Sequence, residues 1–259
     1  MDLKGLNVLV DGYNLELSKG TGIKTYGISL INALNLLGAN VNVLYSRSSS
    51  SIPVLNEVLF FDVLLDDQKK QQFKLIKNLF KTVGKIVKTE TITIGKNIVI
   101  RESDNLMDSV GILNLEGCYK IAHIKYKLFN LITKITPSQK IDIWHTTYPL
   151  PIKIRGAKKI TTIHDLIPLR LPYTTLDDKS MFYRNVKDSL KNSAIIIAVS
   201  EHTKKDIIDI FDINPDKIHV TYQPTILSPF SFEEDKALLY LKKYKLEYNN
   251  YILFVGAIV

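Results

Sequence analysis

The sequence predicts an α/β chain built on a doubly wound, mostly parallel sheet, and three observations carry that prediction. Short apolar runs rich in β-branched residues alternate with segments of helical period, the pattern of βαβ units. Two of those runs, Lys159 to His164 and Ala194 to Val199, break abruptly onto the polar residues His164-Asp165 and Ser200-Glu201. A strand that halts on ionisable side chains puts them at the carboxyl edge of a sheet, where open α/β folds bind their ligands.

Each element follows in order. Asn7 to Val10 is an apolar run leading into Asp11-Gly12-Tyr13-Asn14, and reads as the first strand. Tyr26, Leu30, Ala33, Leu34 and Leu37 keep helical spacing through Lys24–Leu37, with Gly38 as the terminating glycine. Asn40 to Tyr45 alternates as a second strand, which completes a βαβ unit. Ser46 to Pro53 is polar and reads as a loop, Asp67 to Lys88 as a long helix, and Thr89 to Ile100 as a hairpin about Gly95-Lys96-Asn97. Cys118 to Thr136 has helical character. Ile141–His145, Lys159–His164, Ala194–Val199 and Lys217–Tyr222 supply four more strands, with helices near Leu176–Lys191 and Glu201–Phe211. Phe232 to Lys245 reads as a helix and Tyr251 to Gly256 as a buried strand.

Composition narrows the function classes. A hydrophobic content of 46% in 259 residues is ample for a packed core. One cysteine, Cys118, excludes an internal disulfide framework and suits a reducing compartment. No apolar stretch reaches the roughly 18 residues of a membrane helix, and the chain opens on a strand pattern, so a cytoplasmic protein is expected. The net charge of +8 calls for an anionic partner without choosing among nucleic acid, lipid and phosphorylated substrate.

The loop of Gly20, Thr21 and Gly22 between the first strand and its helix allows backbone N–H groups to approach a phosphate at a helix N-terminus, although a plain tight turn uses the same residues. His164 and Asp165 fit a catalytic pair, a structural pair or a strand-end cap. Ser200 is a natural helix N-cap. The lysines of the Lys69–Lys88 stretch share a helical pattern with Phe73, Ile76 and Phe80, which either lies on anionic lipid or packs on the sheet with its lysines in water. The five histidines and the lone cysteine have no metal-ligand spacing, so no zinc site is expected. An aspartate ending the first strand, in VDGYNL, also resembles the start of a PIN/NYN-type metal-dependent nuclease, but the later strand ends offer only Asp165 as a second carboxylate.

Together these residues resemble the N-terminal, acceptor-side domain of a family 4 glycosyltransferase of GT-B architecture. Val10-Asp11-Gly12 with Gly20-Thr21-Gly22-Ile23-Lys24-Thr25-Tyr26 is similar to the family's opening strand and G-x-G-I-G-R-Y loop, with Lys24-Thr25 in place of Gly-Arg. Asp142-Ile143-Trp144-His145 followed by Pro149 and Pro151 resembles its D-x-x-H…P segment, and Thr161 to Pro168 its T-x-H-D-L-I-P. Val199 to Ile207 resembles V-S-E-x-S-K-x-D-I, Pro215 to Val220 resembles P-x-K-I-x-V, and Tyr251 to Gly256 the strand that opens the family's second domain.

The resemblance implies a Rossmann-like half of a GT-B enzyme over residues 1–245. Residues 246–259 are then a linker and the first strand of a C-terminal nucleotide-sugar-binding domain that this chain lacks. It implies a retaining transfer of a sugar, of the hexosyltransferase type, from a nucleotide-sugar to a glycan or lipid-linked acceptor. No bound metal or other cofactor and no nucleic acid would take part, and the isolated chain would be inactive. His164 would contact the donor sugar near its reacting carbon. Gly20, Thr21 and Gly22 would face the diphosphate, with Lys24, Asp165, Ser200 and Lys204 on the rim. The Lys69–Lys88 helix would make a peripheral contact with an anionic inner membrane face. A non-catalytic glycan- or membrane-binding module is the alternative.

Overall fold

A computed structural model of the chain describes residues 2–17, 22–50, 52–61, 86–92, 109–224 and 234–253. Its strands are β1 (Asn7–Asp11), β2 (Asn40–Tyr45), β3 (Val87–Lys88), β4 (Glu90–Ile92), β5 (Gly111–Asn114), β6 (Thr133–Thr136), β7 (Ile143–Thr146), β8 (Ile152–Ile154), β9 (Lys158–Ile163), β10 (Ile195–Ala198) and β11 (Ile218–Val220). Its helices are α1 (Gly22–Leu36), α2 (Pro53–Phe61), α3 (Cys118–Phe129), α4 (Ile167–Arg170), α5 (Lys179–Asn192), α6 (Glu201–Phe211) and α7 (Glu234–Lys243). The chain divides into two compact units, Met1–Gln223 and Pro224–Val259, the smaller one carrying α7.

The larger unit holds a mostly parallel sheet in the order β11-β10-β9-β7-β1-β2-β5-β4, with β4 alone antiparallel, at one edge. A small parallel sheet, β3-β6-β8, packs beside it. The chain leaves β1 toward β2 on one side and later returns to β7 on the other. The topological switch point therefore lies between β1 and β7, where ligand crevices of such sheets form.

Alternation along β1 sends its side chains to opposite faces. Val8 and Val10 join Val41, Val43 and Ile112 beneath Ile31 of α1 and Phe60 of α2. Leu9 joins Leu44, Leu113 and Trp144 against Tyr119 and Ala122 of α3 and Ile152 and Ile154 of β8. A third core joins Ile163, Ile196 and Ala198 to Val186 and Leu190 of α5 and Ile207 of α6. The predicted doubly wound α/β class is what the structure shows.

Several element expectations change. Cys118–Thr136 is not one helix: α3 ends at Asn130, whose φ of 54° turns the chain, and Thr133–Thr136 is a strand. Val87 and Lys88 end the expected Asp67–Lys88 helix as strand β3, while residues 67–85 lie outside the described part. Glu90–Ile92 pairs with β5, and the rest of the expected hairpin lies outside the described residues. Tyr251–Leu253 are not in a strand, and residues 254–256 are likewise not described. The short strands β5, β6 and β8 and the helix α2 had no counterpart in the sequence reading.

Candidate functional site

At the switch point the strands bring polar side chains together. β1 ends on Asp11, which is 1% exposed. Gly12 follows because nothing larger fits: a Cβ there would lie 2.5 Å from the Leu44 carbonyl oxygen. Its N–H instead donates to Leu44 O and to the Tyr119 hydroxyl, at 2.9 and 2.8 Å. The Asp11 carboxylate accepts from Thr147 N–H, at the end of β7, and from Tyr13 N–H at 3.2 Å. Burial outweighs those bonds and pushes the Asp11 carboxyl up to about 6.

His164 follows β9 directly. Its Nε2 lies 3.0 Å from the Thr147 carbonyl oxygen and therefore donates. Nδ1 is then an acceptor, and it receives the Gln223 side-chain N–H at 2.6 Å. Tyr26 from α1 meets the imidazole edge-on, with ring centroids 5.0 Å apart. The Tyr26 hydroxyl, 3.0 Å from Thr162 Oγ1, continues to His145 Nε2, which lies 2.9 Å from the same oxygen. Burial lowers the pKa of His164 and takes that of His145 down to about 4, so neither ring tends toward imidazolium. Thr147 joins the two halves of this site, since one peptide unit bonds Asp11 through its nitrogen and His164 through its oxygen.

The sequence-derived candidates fall unevenly on this geometry. Gly22 is the first residue of α1, and a Cβ there would meet nothing within 4 Å. It stands one helical turn before Tyr26, so the start of α1 faces the His164 side of the cluster. Gly20 and Thr21 lie outside the described residues. The Lys24 ammonium donates to the Leu17 carbonyl at 2.9 Å. Asp165 is exposed and accepts from Ile167 N–H at 3.1 Å, which shapes the turn into α4. Ser200 caps α6, accepting from Thr203 N–H at 3.1 Å, and Thr203 Oγ1 donates to the His164 carbonyl at 3.0 Å. The cap thus holds the backbone of His164. Lys204, half-buried in the first turn of α6, has no direct bond to that histidine.

Sequence reasoning missed Thr147, Gln223 and the role of Tyr26 as a ring against His164. It also missed a rim of stacked rings, in which Tyr13 lies between His123 and Tyr148 at centroid distances of 5.7 and 6.0 Å. Among the described residues no group of three or more His, Cys, Asp or Glu comes together as metal ligands do, and Asp11 is committed to backbone N–H groups. The carboxylate cluster that the nuclease alternative needs is not formed by these residues.

Fold and rim define a Rossmann-like α/β protein with a polar cluster at the carboxyl ends of β1, β7 and β9, the end at which open α/β sheets bind their ligands. Comparison with known proteins gives a partial family likeness. Residues 108–227 match the model of Glycosyltransferase Family 4, a stretch that runs from just before β5 to just past β11 and includes Thr147, His164, Ser200 and Gln223. Over that stretch, a little under half of the chain, the sequence is similar to that family. It is also similar to the O-antigen chain mannosyltransferase B of Escherichia coli, 27% identical over 116 residues that make up 44% of this chain and 30% of the relative. No helix among the described residues is long and apolar enough to cross a membrane.

Proposed function

We propose that this chain is the acceptor-side part of a retaining glycosyltransferase that moves a hexose from a nucleotide-sugar to a glycan or lipid-linked acceptor. The observation that carries the proposal is the half-buried, neutral His164 at the carboxyl end of β9, inside the segment that matches the family. A neutral imidazole positioned by Thr147 and Tyr26 suits hydrogen bonding to a sugar hydroxyl better than proton abstraction. That agrees with a front-face route in which the departing diphosphate draws the acceptor proton. No protein nucleophile and no metal is then needed, and protein groups orient the substrates and stabilise the leaving phosphate. In this reading a second domain supplies the opposite wall of the cleft, and the isolated chain is inactive. The relative's name makes a mannose donor the first to try.

The test is a transfer assay with GDP-, UDP- and ADP-sugars, run on the chain alone and on the chain joined to a family-type second domain. Activity only in the joined protein supports the proposal, and activity in the isolated chain overturns its two-wall premise. Silence in both moves the weight to the binding-module alternative. His164→Ala in the joined protein is expected to lose roughly 100-fold in kcat, the scale on which a positioned polar contact acts. Near-wild-type turnover would remove His164 from the role given to it.

A further inference from the structure

We propose that Gln223 is the positioning residue for His164, its side-chain amide holding Nδ1 as an acceptor while Thr147 holds the Nε2 proton. The inference rests on the reading of His164 as the sugar-contacting residue only for its consequence in transfer; the clamp itself is geometry. Two partners approach the ring from opposite sides, the Thr147 carbonyl at 3.0 Å from Nε2 and the Gln223 amide nitrogen at 2.6 Å from Nδ1. A carbonyl oxygen can only accept, so Nε2 must carry the proton. Nδ1 then has a lone pair and no hydrogen, and only a donor can sit there. The amide N–H of Gln223 meets that demand, and the two bonds specify one tautomer and one ring orientation.

The rest of the surroundings do not specify it. The Tyr26 ring meets the imidazole through its edge, and the Tyr26 hydroxyl is engaged with Thr162. Thr203 bonds the His164 carbonyl and not its ring. Of the charged and titratable groups nearby, Asp165 is exposed and turned to Ile167 N–H, Asp11 reaches the ring only through the Thr147 peptide, and His145 is bonded to Thr162. Gln223 is the described side chain that bonds Nδ1, and it comes from 59 residues further along the chain.

The polarity of the clamp also states what His164 offers a substrate. A sugar hydroxyl donating to Nδ1 replaces the Gln223 amide bond for bond, with the same direction and the same tautomer. A phosphate oxygen at Nδ1 would have no proton to receive. His164 is on this account a hydroxyl reader and not a phosphate ligand, and Gln223 keeps its ring in register until the hydroxyl arrives.

The experiment is nitrogen-15 NMR of the histidine side chains in the full chain, which has five histidines, as a function of pH. The wild-type protein is expected to show His164 as the neutral Nε2–H tautomer at pH 7. Gln223→Glu places an acceptor at Nδ1, where a proton is then required. The doubly protonated ring should then persist to higher pH than in wild type, with the titration midpoint raised by at least one pH unit. Gln223→Ala should keep the tautomer but move the Nδ1 resonance toward that of an unbonded nitrogen. Gln223 is exposed, so both variants are expected to fold with wild-type melting temperatures; a merely structural residue would alter the melting temperature and leave the nitrogen shifts alone. If His164 titrates identically in wild type and Gln223→Glu, the clamp is wrong. Because no sugar is used, that result is independent of turnover. A clean NMR response together with full transfer by the His164→Ala joined enzyme would keep the clamp and discard the functional reading.

Discussion

Two buried polar regions lie at opposite ends of the same strands, and they are built differently. At the carboxyl end, Asp11 and His164 are bonded through the Thr147 peptide, Tyr26, Thr162 and His145 form a second bonded chain, and the edge-on contact of Tyr26 with His164 brings the two together; the Asn14 amide nitrogen has no partner among the described residues. At the amino end, a pocket of about 280 Å³ is lined by Trp144, Lys159, Asn185, Asp188 and Ser189 together with apolar residues of β8. Its ammonium is satisfied by the Leu150 carbonyl at 3.2 Å and Ser189 Oγ at 3.3 Å, while Trp144 Nε1 and Asn185 Oδ1 have no partner among the described residues. Both regions shift pKa values through burial, Asp11 up to about 6 and Lys159 down to about 8. Burial and perturbed titration therefore do not by themselves mark a site; connection to the open edge of the sheet does.

The sharpest way to break this comparison is at Asp11. Asp11→Ala leaves the Thr147 and Tyr13 N–H groups without their acceptor in a buried setting, at a net cost of roughly 3 kcal/mol in chemical unfolding. It should also release the Thr147 peptide that orients His164. A loss below about 0.5 kcal/mol would mean that the network is decoration. Titration gives a second handle. The folded Asp11 carboxyl lies above its ordinary value of 3.8, at about 6, so its contribution is fully present below 3.8 and is lost as pH rises through 6. His145 runs the other way: its pKa falls from 6.5 to about 4, so its contribution is present above 6.5 and is lost as pH falls through 4. The two trends oppose each other in one window. Wild type should thus gain on Asp11→Asn as pH drops from 6 to 3.8, by up to about 3 kcal/mol for a shift of two units in a fully buried group. A stability gap between the two proteins that does not vary with pH would refute the assignment.

How far the sequence carried this picture depends on range. Strands β1, β2, β7, β9, β10 and β11 and helix α6 were legible because each lies in an apolar run bounded by a polar break. The apolar rhythm of α3 runs past Asn130 into β6 without announcing the left-handed residue that ends the helix, and β8 is a single Ile-Lys-Ile alternation between Pro151 and Arg155. His164 was visible as a strand-end histidine. Its partners were not, because Thr147 and Gln223 lie 17 and 59 residues away and nothing in a hydrophobic pattern pairs a backbone carbonyl with a distant amide. The loop at Gly20 and Thr21 was visible only through its composition, and those two residues lie outside the described structure.

At the amino end the expected effect is smaller. Lys159→Met keeps the length of the stem and deletes an amine whose charge burial already disfavours. The Leu150 carbonyl loses a donor, but the cost of burying the charge disappears as well, so a net loss of about 1–2 kcal/mol is expected. Transfer in the joined enzyme should be unchanged, and a tenfold loss of kcat without a stability change would make the lower pocket part of the machinery after all.

The smallest effect tests whether the rim depends on its helices. Ser200→Ala removes the side-chain acceptor from Thr203 N–H at the start of α6, a loss of about 1 kcal/mol for an N-cap. Thr203 also donates to the His164 carbonyl, so loosening the first turn of α6 acts on the histidine's backbone and not on its ring. The nitrogen-15 tautomer of His164 should therefore stay that of wild type in Ser200→Ala while the melting temperature falls by a few degrees. If the tautomer population changes with the cap, then the ring is held by the packing of α6 more than by Thr147 and Gln223, and the clamp and the cap are one device.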